Sequence, residues 1–390
     1  MKAPLDTLKI LDFTYLLPGP FGSMLLADLG AQIIKVENLR QPDLMRYAPP
    51  LVDGVSVLYA HVNRGKKSLA LDLKQEEARG IVLNLVREYD IVIEQFRPGV
   101  MQRLGLGYED LKKVNDSIIY CSLTGYGQTG TYAARAGHDI NYLALSGLDS
   151  FSGRRESGPG LSGIQIADIA GGSKNTAMAV MAAVIRRMTT GKGDRIDISI
   201  TDSAFSMTVM STAPFLEGGP EPGPESEMLN GGLLYDYYRT ADGRYLSVGP
   251  IEGKFFDEFC SVIGHPELAE RGIGNREAKG LIAGIIGGDD LEHWIAKFDG
   301  RDACVEPVRL LSEAIVSPPI VERDMIVSVR NEKGNTLRQM GNPIKFGSGH
   351  YFGRAAGTSM GYHTRDILRG LGYSEMELDT MLQKNIIGVS

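Results

Sequence analysis

His138 and Asp168 bracket a stretch whose residue types suit the movement of a proton at carbon. Each stands beside a glycine or a small residue, at the edge of a segment with helical spacing. An imidazole and a carboxylate held at element ends are the pair needed to take a proton from one face of a carbon and return it on the other. Between them run GHDINYLALSG, a Gly- and Ser-rich loop carrying Arg154 and Arg155, and QIADIAGGS, which opens the apolar segment 175–188. Both residues also have a plain structural reading. A histidine before a helix can be a cap or surface group, Asp139 can itself be the cap, and Asp168 ahead of a helix is first of all an N-cap.

A second cluster is Asn63-Arg-Gly-Lys-Lys-Ser. Arg64, Lys66 and Lys67 around one glycine can grip phosphates, the arginine as a bidentate fork and the lysines as point charges. A solvated basic turn fits the same residues. The methionines Met178, Met181, Met207 and Met210 suit either a side-chain pocket or a helix packed in a core. Arg154 and Arg155 read as surface residues or a mobile lid.

The elements that must hold these groups alternate between strand and helix. Segment 8–13 is a short apolar strand, Leu17-Pro-Gly-Pro-Phe punctuates, 22–29 has helical spacing, and 31–36 is a second buried strand before Glu37. Strand, helix and strand in so short a stretch favour a parallel, Rossmann-like sheet with a right-handed crossover. G-x-G-x-x-G is absent and the Pro-Gly-Pro turn offers few free amides, which argues against a nicotinamide dinucleotide. Strands over 68–73, 91–94, 118–123 and 194–200, with a helix over 76–88, extend the α/β pattern.

Segment 217–227 consists only of Gly, Pro, Glu and Ser, the composition of a linker. Beyond it, 235–240 and 244–248 alternate around Asp242-Gly243 as a hairpin, and helical signals run over 255–298. The predicted organisation is a large α/β domain over 1–216, a crossover over 217–228, a smaller α+β domain over 229–320 and a return segment over 321–390.

Composition bounds the function. The 390-residue chain carries a net charge of −7, which argues against a nucleic-acid partner. Cys121, Cys260 and Cys304 are widely spaced without metal-ligand spacing, so neither a zinc site nor a disulfide framework is expected, and a reducing compartment, the cytoplasm, is. No window has the uncharged apolar length of a membrane span, the start lacks a targeting pattern, and NIIGVS is no peroxisomal signal.

AGHDINYLALSG, ADIAGG at 167–172, NRGKKSLALDLKQ at 63–75, FRPGVMQRLGLG at 96–107, TGYGQTG at 124–130 and YRTADGRYLSVGPIE at 238–252 resemble the α-methylacyl-CoA racemases of the class III CoA-transferase superfamily. The resemblance covers essentially the whole chain. GHDINY is its sharpest motif, because transferase relatives generally lack the histidine while keeping the aspartate.

The resemblance implies a Rossmann-like large domain whose chain crosses to a small domain and returns, and an interlocked homodimer. It implies an acyl-CoA substrate that brings its own coenzyme A, with no separate cofactor. Coenzyme A would be held by Arg64, Lys66, Lys67, Phe96 and Arg97. Where many relatives have an arginine in a V-x-R-P-type turn, this chain has Glu37-Asn38-Leu39-Arg40; either Arg40 reaches the same phosphate or the adenine end is held differently. His138 and Asp168 would be the two bases and Glu252 the carboxylate that orients the histidine. The expected reaction is racemisation at C2 of a 2-methyl-branched acyl-CoA, with CoA transfer through an aspartyl-CoA thioester at Asp168 as the alternative and a non-enzymatic acyl-CoA carrier as a third reading. Amides near Asp168 are expected to serve the enolate oxygen.

Overall fold

The computed structural model describes residues 2–272 and 274–390. The chain divides into two compact units, one built from Met1–Leu143, Gly163–Met207 and Pro319–Ser390, the other from Ala144–Ser162 and Thr208–Pro318.

The first unit is organised on a seven-stranded sheet. Its strands are β1 (Lys9–Phe13), β2 (Gln32–Asn38), β3 (Lys66–Leu71), β4 (Ile91–Glu94), β5 (Ile119–Thr124) and β6 (Asp194–Ser199), with the short strand Ile387–Gly388 at one edge. From that edge the order is Ile387–Gly388, β3, β2, β1, β4, β5, β6. All neighbours are parallel except the edge strand, which pairs antiparallel with β3. Strands β1, β4 and β5 are buried on both faces, as the centre of a covered sheet requires, while β6 at the other edge alternates and exposes Arg195 and Asp197. Along β1, Ile10 packs with Leu26, Ile93 and Val180, while Leu11 and Phe13 pack with Val82, Leu85 and Tyr120.

This strand order reverses between β1 and β4. In doubly wound sheets, ligands bind outside the carboxyl ends of the strands at that reversal. The loops after Phe13 and Glu94 are therefore where a ligand is expected.

Helix α1 (Pro18–Asp28) starts on the Pro-Gly-Pro turn itself. The turn was expected to punctuate. It nucleates instead, because proline in the first turn fixes φ and its missing N–H has no intrahelical partner to lose. Helix α2 (Glu76–Leu85) buries Ala78, Ile81, Val82 and Leu85, the stripe its spacing predicts. Helix α3 (Asp139–Leu145), helix α4 (Lys174–Thr190) and helix α5 (Ile200–Ser206) follow.

The second unit has an antiparallel sheet of β7 (Asp236–Arg239), β8 (Tyr245–Val248) and β9 (Val305–Pro307), with β8 in the centre. Helices α6 (Gly253–Val262), α7 (Arg276–Ile286) and α8 (Leu291–Phe298) bring Phe256, Phe259, Ile282, Ile286 and Trp294 into its core. The buried indole N–H of Trp294 donates to the Ile286 carbonyl at 2.9 Å, so its polar atom is satisfied.

Segment 144–162 clusters with this second unit, whereas the sequence placed it in the large domain. Arg154 makes a bidentate pair with Asp236, at 2.5 and 2.8 Å, and also donates to Glu225 at 2.9 Å. Arg155 donates to the backbone carbonyls of Pro224 and Glu225. The two arginines thus pin the Gly/Pro-rich segment 217–227; Arg155 is exposed, in keeping with the surface reading, and the ion pairs of Arg154 argue against a mobile lid.

Candidate active site

Asp168 lies within a π-helical turn, Ala167–Ser173, that runs directly into α4. It is inside the helical run, so the N-cap reading is corrected. Widened turns of this kind hold a backbone geometry that a regular helix does not offer. Two glycines permit it here. A Cβ on Gly172 would sit 2.9 Å from Cγ1 of Ile200, and one on Gly171 would sit 3.1 Å from Cβ of Ser203, both on α5. On the other side, a Cβ on Gly22 of α1 would meet the Ser173 carbonyl at 2.9 Å. The ADIAGG string is thus the sequence of a turn wedged between α1 and α5.

His138 immediately precedes α3. Its backbone N–H donates to Oδ1 of Asn141 at 3.0 Å and its carbonyl accepts from the Asn141 amide at 2.8 Å. The preceding loop is held by tyrosines. The Tyr142 hydroxyl donates to the Gly137 carbonyl at 2.6 Å, and Tyr126 packs edge-on against Tyr142. A Cβ on Gly125 or Gly137 would collide with the Tyr142 ring, at 2.5 and 2.7 Å. Gly125 of TGYGQTG and Gly137 of AGHDINY therefore leave space for Tyr142.

These elements open His138 and Asp168 onto one cavity of about 450 Å³ in the first unit. Its wall includes Leu16, Gln95, Phe96, Arg97, Gln165 and Tyr142. Burial, and then the nearby Asp139 carboxylate, pushes the Asp168 carboxyl up to about 7. The backbone N–H of Asp168 donates to Oδ1 of Asp139 at 2.9 Å, and that of Ile169 to the Gln165 carbonyl. Two of the amides near Asp168, its own and that of Ile169, are thus engaged within the chain. A carboxyl titrating near neutrality that lines the same cavity as an imidazole suits acid–base work at carbon.

A neighbouring cavity of about 560 Å³ lies over the ends of β1 and β2, lined by Lys35, Asn38, Arg40, Pro42, Leu44 and Tyr47 among others. Tyr15, Leu16 and Phe96 line both cavities. The rings of Tyr15 and Phe96 are 6.0 Å apart. Both residues follow strands at the reversal of strand order. Tyr15, Leu16 and Gln95 were missed from the sequence, yet the predicted parallel sheet carried a signal for them, since loops after the strands at a reversal form the binding crevice.

The basic cluster is corrected in part. Arg64 is 1% exposed and its guanidinium forks onto Asp28 at 2.6 and 2.8 Å. Lys66 is buried with its amine 3.0 Å from Asp12 and 2.9 Å from the Pro20 carbonyl. Both cations neutralise buried carboxylates and present nothing to a phosphate. Lys67 is exposed. Arg40 is exposed at the second cavity with its Nε on Asp72 at 2.8 Å, and Phe96 and Arg97 line the first. Glu252 belongs to the second unit, exposed just ahead of α6, with no side-chain capping bond.

CoA-transferase family III matches residues 5–364, and the chain belongs to this family. Its relatives carry more than one chemistry. The α-methylacyl-CoA racemase of Homo sapiens is 31% identical over 98% of this chain and 97% of its own length. The succinyl-CoA:glutarate CoA-transferase of Mus musculus is 30% identical over 98% of this chain and 90% of its own. A CAIB/BAIF family protein from Brucella suis superposes with a TM-score of 0.83 at 28% identity, covering 95% of this chain and 100% of that one. No helix among the described residues is long and apolar enough to cross a membrane.

Proposed function

We propose that the protein racemises C2 of a 2-methyl-branched acyl-CoA thioester. The observation that carries this reading is that His138 and Asp168 open onto one cavity, with the aspartate titrating near 7. The proton α to a thioester carbonyl is weakly acidic, so its removal needs a base of near-neutral pKa on each face. His138 takes the proton from one enantiomer and Asp168 protonates the enolate on the opposite face; the reverse direction exchanges the roles. The nucleotide of the substrate occupies the cavity lined by Arg40 and Tyr47, and the thioester passes Tyr15, Leu16 and Phe96 to reach the two bases.

The working form in this proposal is an interlocked homodimer in which Glu252 of one chain orients His138 of the other. Its support is a set of large apolar side chains exposed on the single chain, among them Ile185 and Met188 on α4 and Met210 and Leu216 beyond α5. Met178 and Met210, offered by the sequence to a core or a pocket, are exposed on the single chain.

The test is incubation of the protein with a single enantiomer of a 2-methylacyl-CoA in D₂O. Racemisation with one deuterium gained at C2 is expected, and His138→Ala and Asp168→Ala should each slow it by about 10²–10⁴-fold. The competing reading is CoA transfer. There the Asp168 carboxylate attacks the thioester carbonyl to form an acyl anhydride and releases CoA thiolate, which then attacks the aspartyl carbonyl, expels the carboxylate product and leaves an aspartyl-CoA thioester. Transfer activity lost in Asp168→Ala and retained in His138→Ala, without deuterium uptake, replaces the first reading with the second.

A further inference from the structure

We infer that Asp43 is a positioning residue that fixes the waist between the two cavities and so sets where the thioester lies relative to His138 and Asp168. The inference rests on the acyl-CoA reading above. A ligand occupying both cavities must cross the three residues they share, Tyr15, Leu16 and Phe96. Leu16 is held at φ +58°, in the left-handed region that residues with a Cβ adopt only at a steric cost. Such a conformation persists where the surroundings over-determine it.

The restraint on the Leu16 amide is one carboxylate. The Leu16 N–H donates to both oxygens of Asp43, 3.1 Å to each. Asp43 is buried, and Lys35 approaches it at 3.5 Å from within the sheet. The Lys35 amine also donates to the carbonyl of Thr14 at 2.6 Å. The turn after β1 is thus gripped at two points, the carbonyl of residue 14 by the ammonium and the amide of residue 16 by the carboxylate. Gln95 supports the other side, donating to the Tyr15 carbonyl at 3.0 Å and accepting from the Gly19 N–H at 3.1 Å.

Asp43 also reaches the nucleotide side. It accepts from the Met45 amide at 3.0 Å and so caps the short helical turn Leu44–Tyr47, which puts Leu44 and Tyr47 on the wall of the larger cavity. One buried side chain therefore ties that wall to the strained residue at the waist. Asp43 itself lines the larger cavity, but the effect assigned to it does not need contact with the substrate. It acts through the backbone of Leu16 and through the capped turn.

Because the effect is assigned to the Leu16 conformation, a glycine at that position provides the test, since glycine adopts φ near +58° without the Cβ penalty. Asp43→Ala, Leu16→Gly and the double variant are compared with the parent protein. Three readings are taken: affinity for a non-enolisable CoA thioether by calorimetry, KM and kcat for deuterium uptake at C2, and thermal melting. Asp43→Ala is expected to weaken thioether binding by roughly tenfold and to lower kcat, while the same change in the Leu16→Gly background costs at least about threefold less. Asp43→Asn, which keeps an acceptor for the Leu16 amide, should retain most of the parent affinity even where Asp43→Ala folds poorly.

Additive effects of the two substitutions overturn the inference, as does a melting shift with binding and kcat unchanged. Loss of affinity in Asp43→Asn equal to that in Asp43→Ala also counts against it. A parent protein that binds no CoA thioether at all refutes the acyl-CoA reading instead, and that result is distinct from every outcome above.

Discussion

The backbone N–H of Asp168 is bonded to the side chain of Asp139, 2.9 Å from its Oδ1, so the residue beside His138 anchors the residue expected to act with it. The bond ties the start of α3 to the π-helical turn and brings a negative charge close to the Asp168 carboxyl. After burial, that charge is the next cause of the rise of Asp168 to about 7. The same contact therefore sets position and protonation together.

Asp139→Asn separates these two effects, because an amide oxygen can still accept from the Asp168 N–H while the charge is gone. The Asp168 pKa should fall. In the direction where Asp168 takes the proton, the acidic limb of kcat/KM reports this group and should move to lower pH, by about a unit or less since burial remains. Because racemisation has an equilibrium constant of one, kcat/KM keeps the same value in both directions at every pH, and the shift should be read equally from either enantiomer. A profile that stays in place in both directions means that Asp139 does not act on Asp168 through charge.

Raising a carboxyl's pKa by burial costs stability, and the pH window follows from the sign. The ordinary value for aspartate is about 3.9, and in the folded chain Asp168 titrates near 7. Below about pH 4 the group is neutral in both states and contributes no difference. As pH rises from 4 to 7 the unfolded chain ionises it freely while the folded chain resists, so stability is lost, with the full loss reached above 7. Asp168→Asn removes that penalty. The variant should be inactive yet more stable at pH 8, by on the order of 2 kcal/mol after allowing for the carboxyl's partial contact with water, and close to the parent at pH 4. Denaturant unfolding at the two pH values measures it; a variant less stable at pH 8 would show that ionised Asp168 is stabilised in the folded chain.

Much of this architecture is legible in the chain because both faces of the central strands of the first unit's sheet are buried. Apolar runs such as Ile10-Leu11 and Ile91-Val92-Ile93 mark strands in register order, and the GHDINY and ADIAGG strings mark the elements that carry His138 and Asp168. Arg64 and Lys66 were misread for a physical reason. Whether a cation faces water or a buried carboxylate depends on Asp28 and Asp12, which lie elsewhere in the chain and reach the cluster only through the fold. The grouping of 144–162 with the second unit is hidden for a similar reason, since Arg154 meets Asp236 far along the chain. The π-helical turn is invisible to periodicity, because its extra residue appears only where Gly171 and Gly172 let neighbouring helices approach.

The proposal that the active site is shared between two chains offers the most demanding test. His138 and Asp168 belong to one compact unit and Glu252 to the other, and the chain leaves and re-enters the first unit across Thr208–Pro318. A chain that departs and returns in this way can close a ring around a second copy, and in an interlocked dimer Glu252 of one subunit serves His138 of the other. A His138→Ala chain and a Glu252→Ala chain, each impaired alone, should then recover part of the activity when co-expressed, because one of the two sites in the mixed dimer carries neither substitution. Mixing the two proteins after separate purification should recover nothing, since interlocked rings exchange only by unfolding. Recovery on simple mixing would mean two chains that associate without interlocking. Sedimentation of a folded, active monomer would mean that Glu252 serves its own chain or has no part in the reaction, and co-expressed dimers with intact folding but no recovered activity would leave the site within one chain.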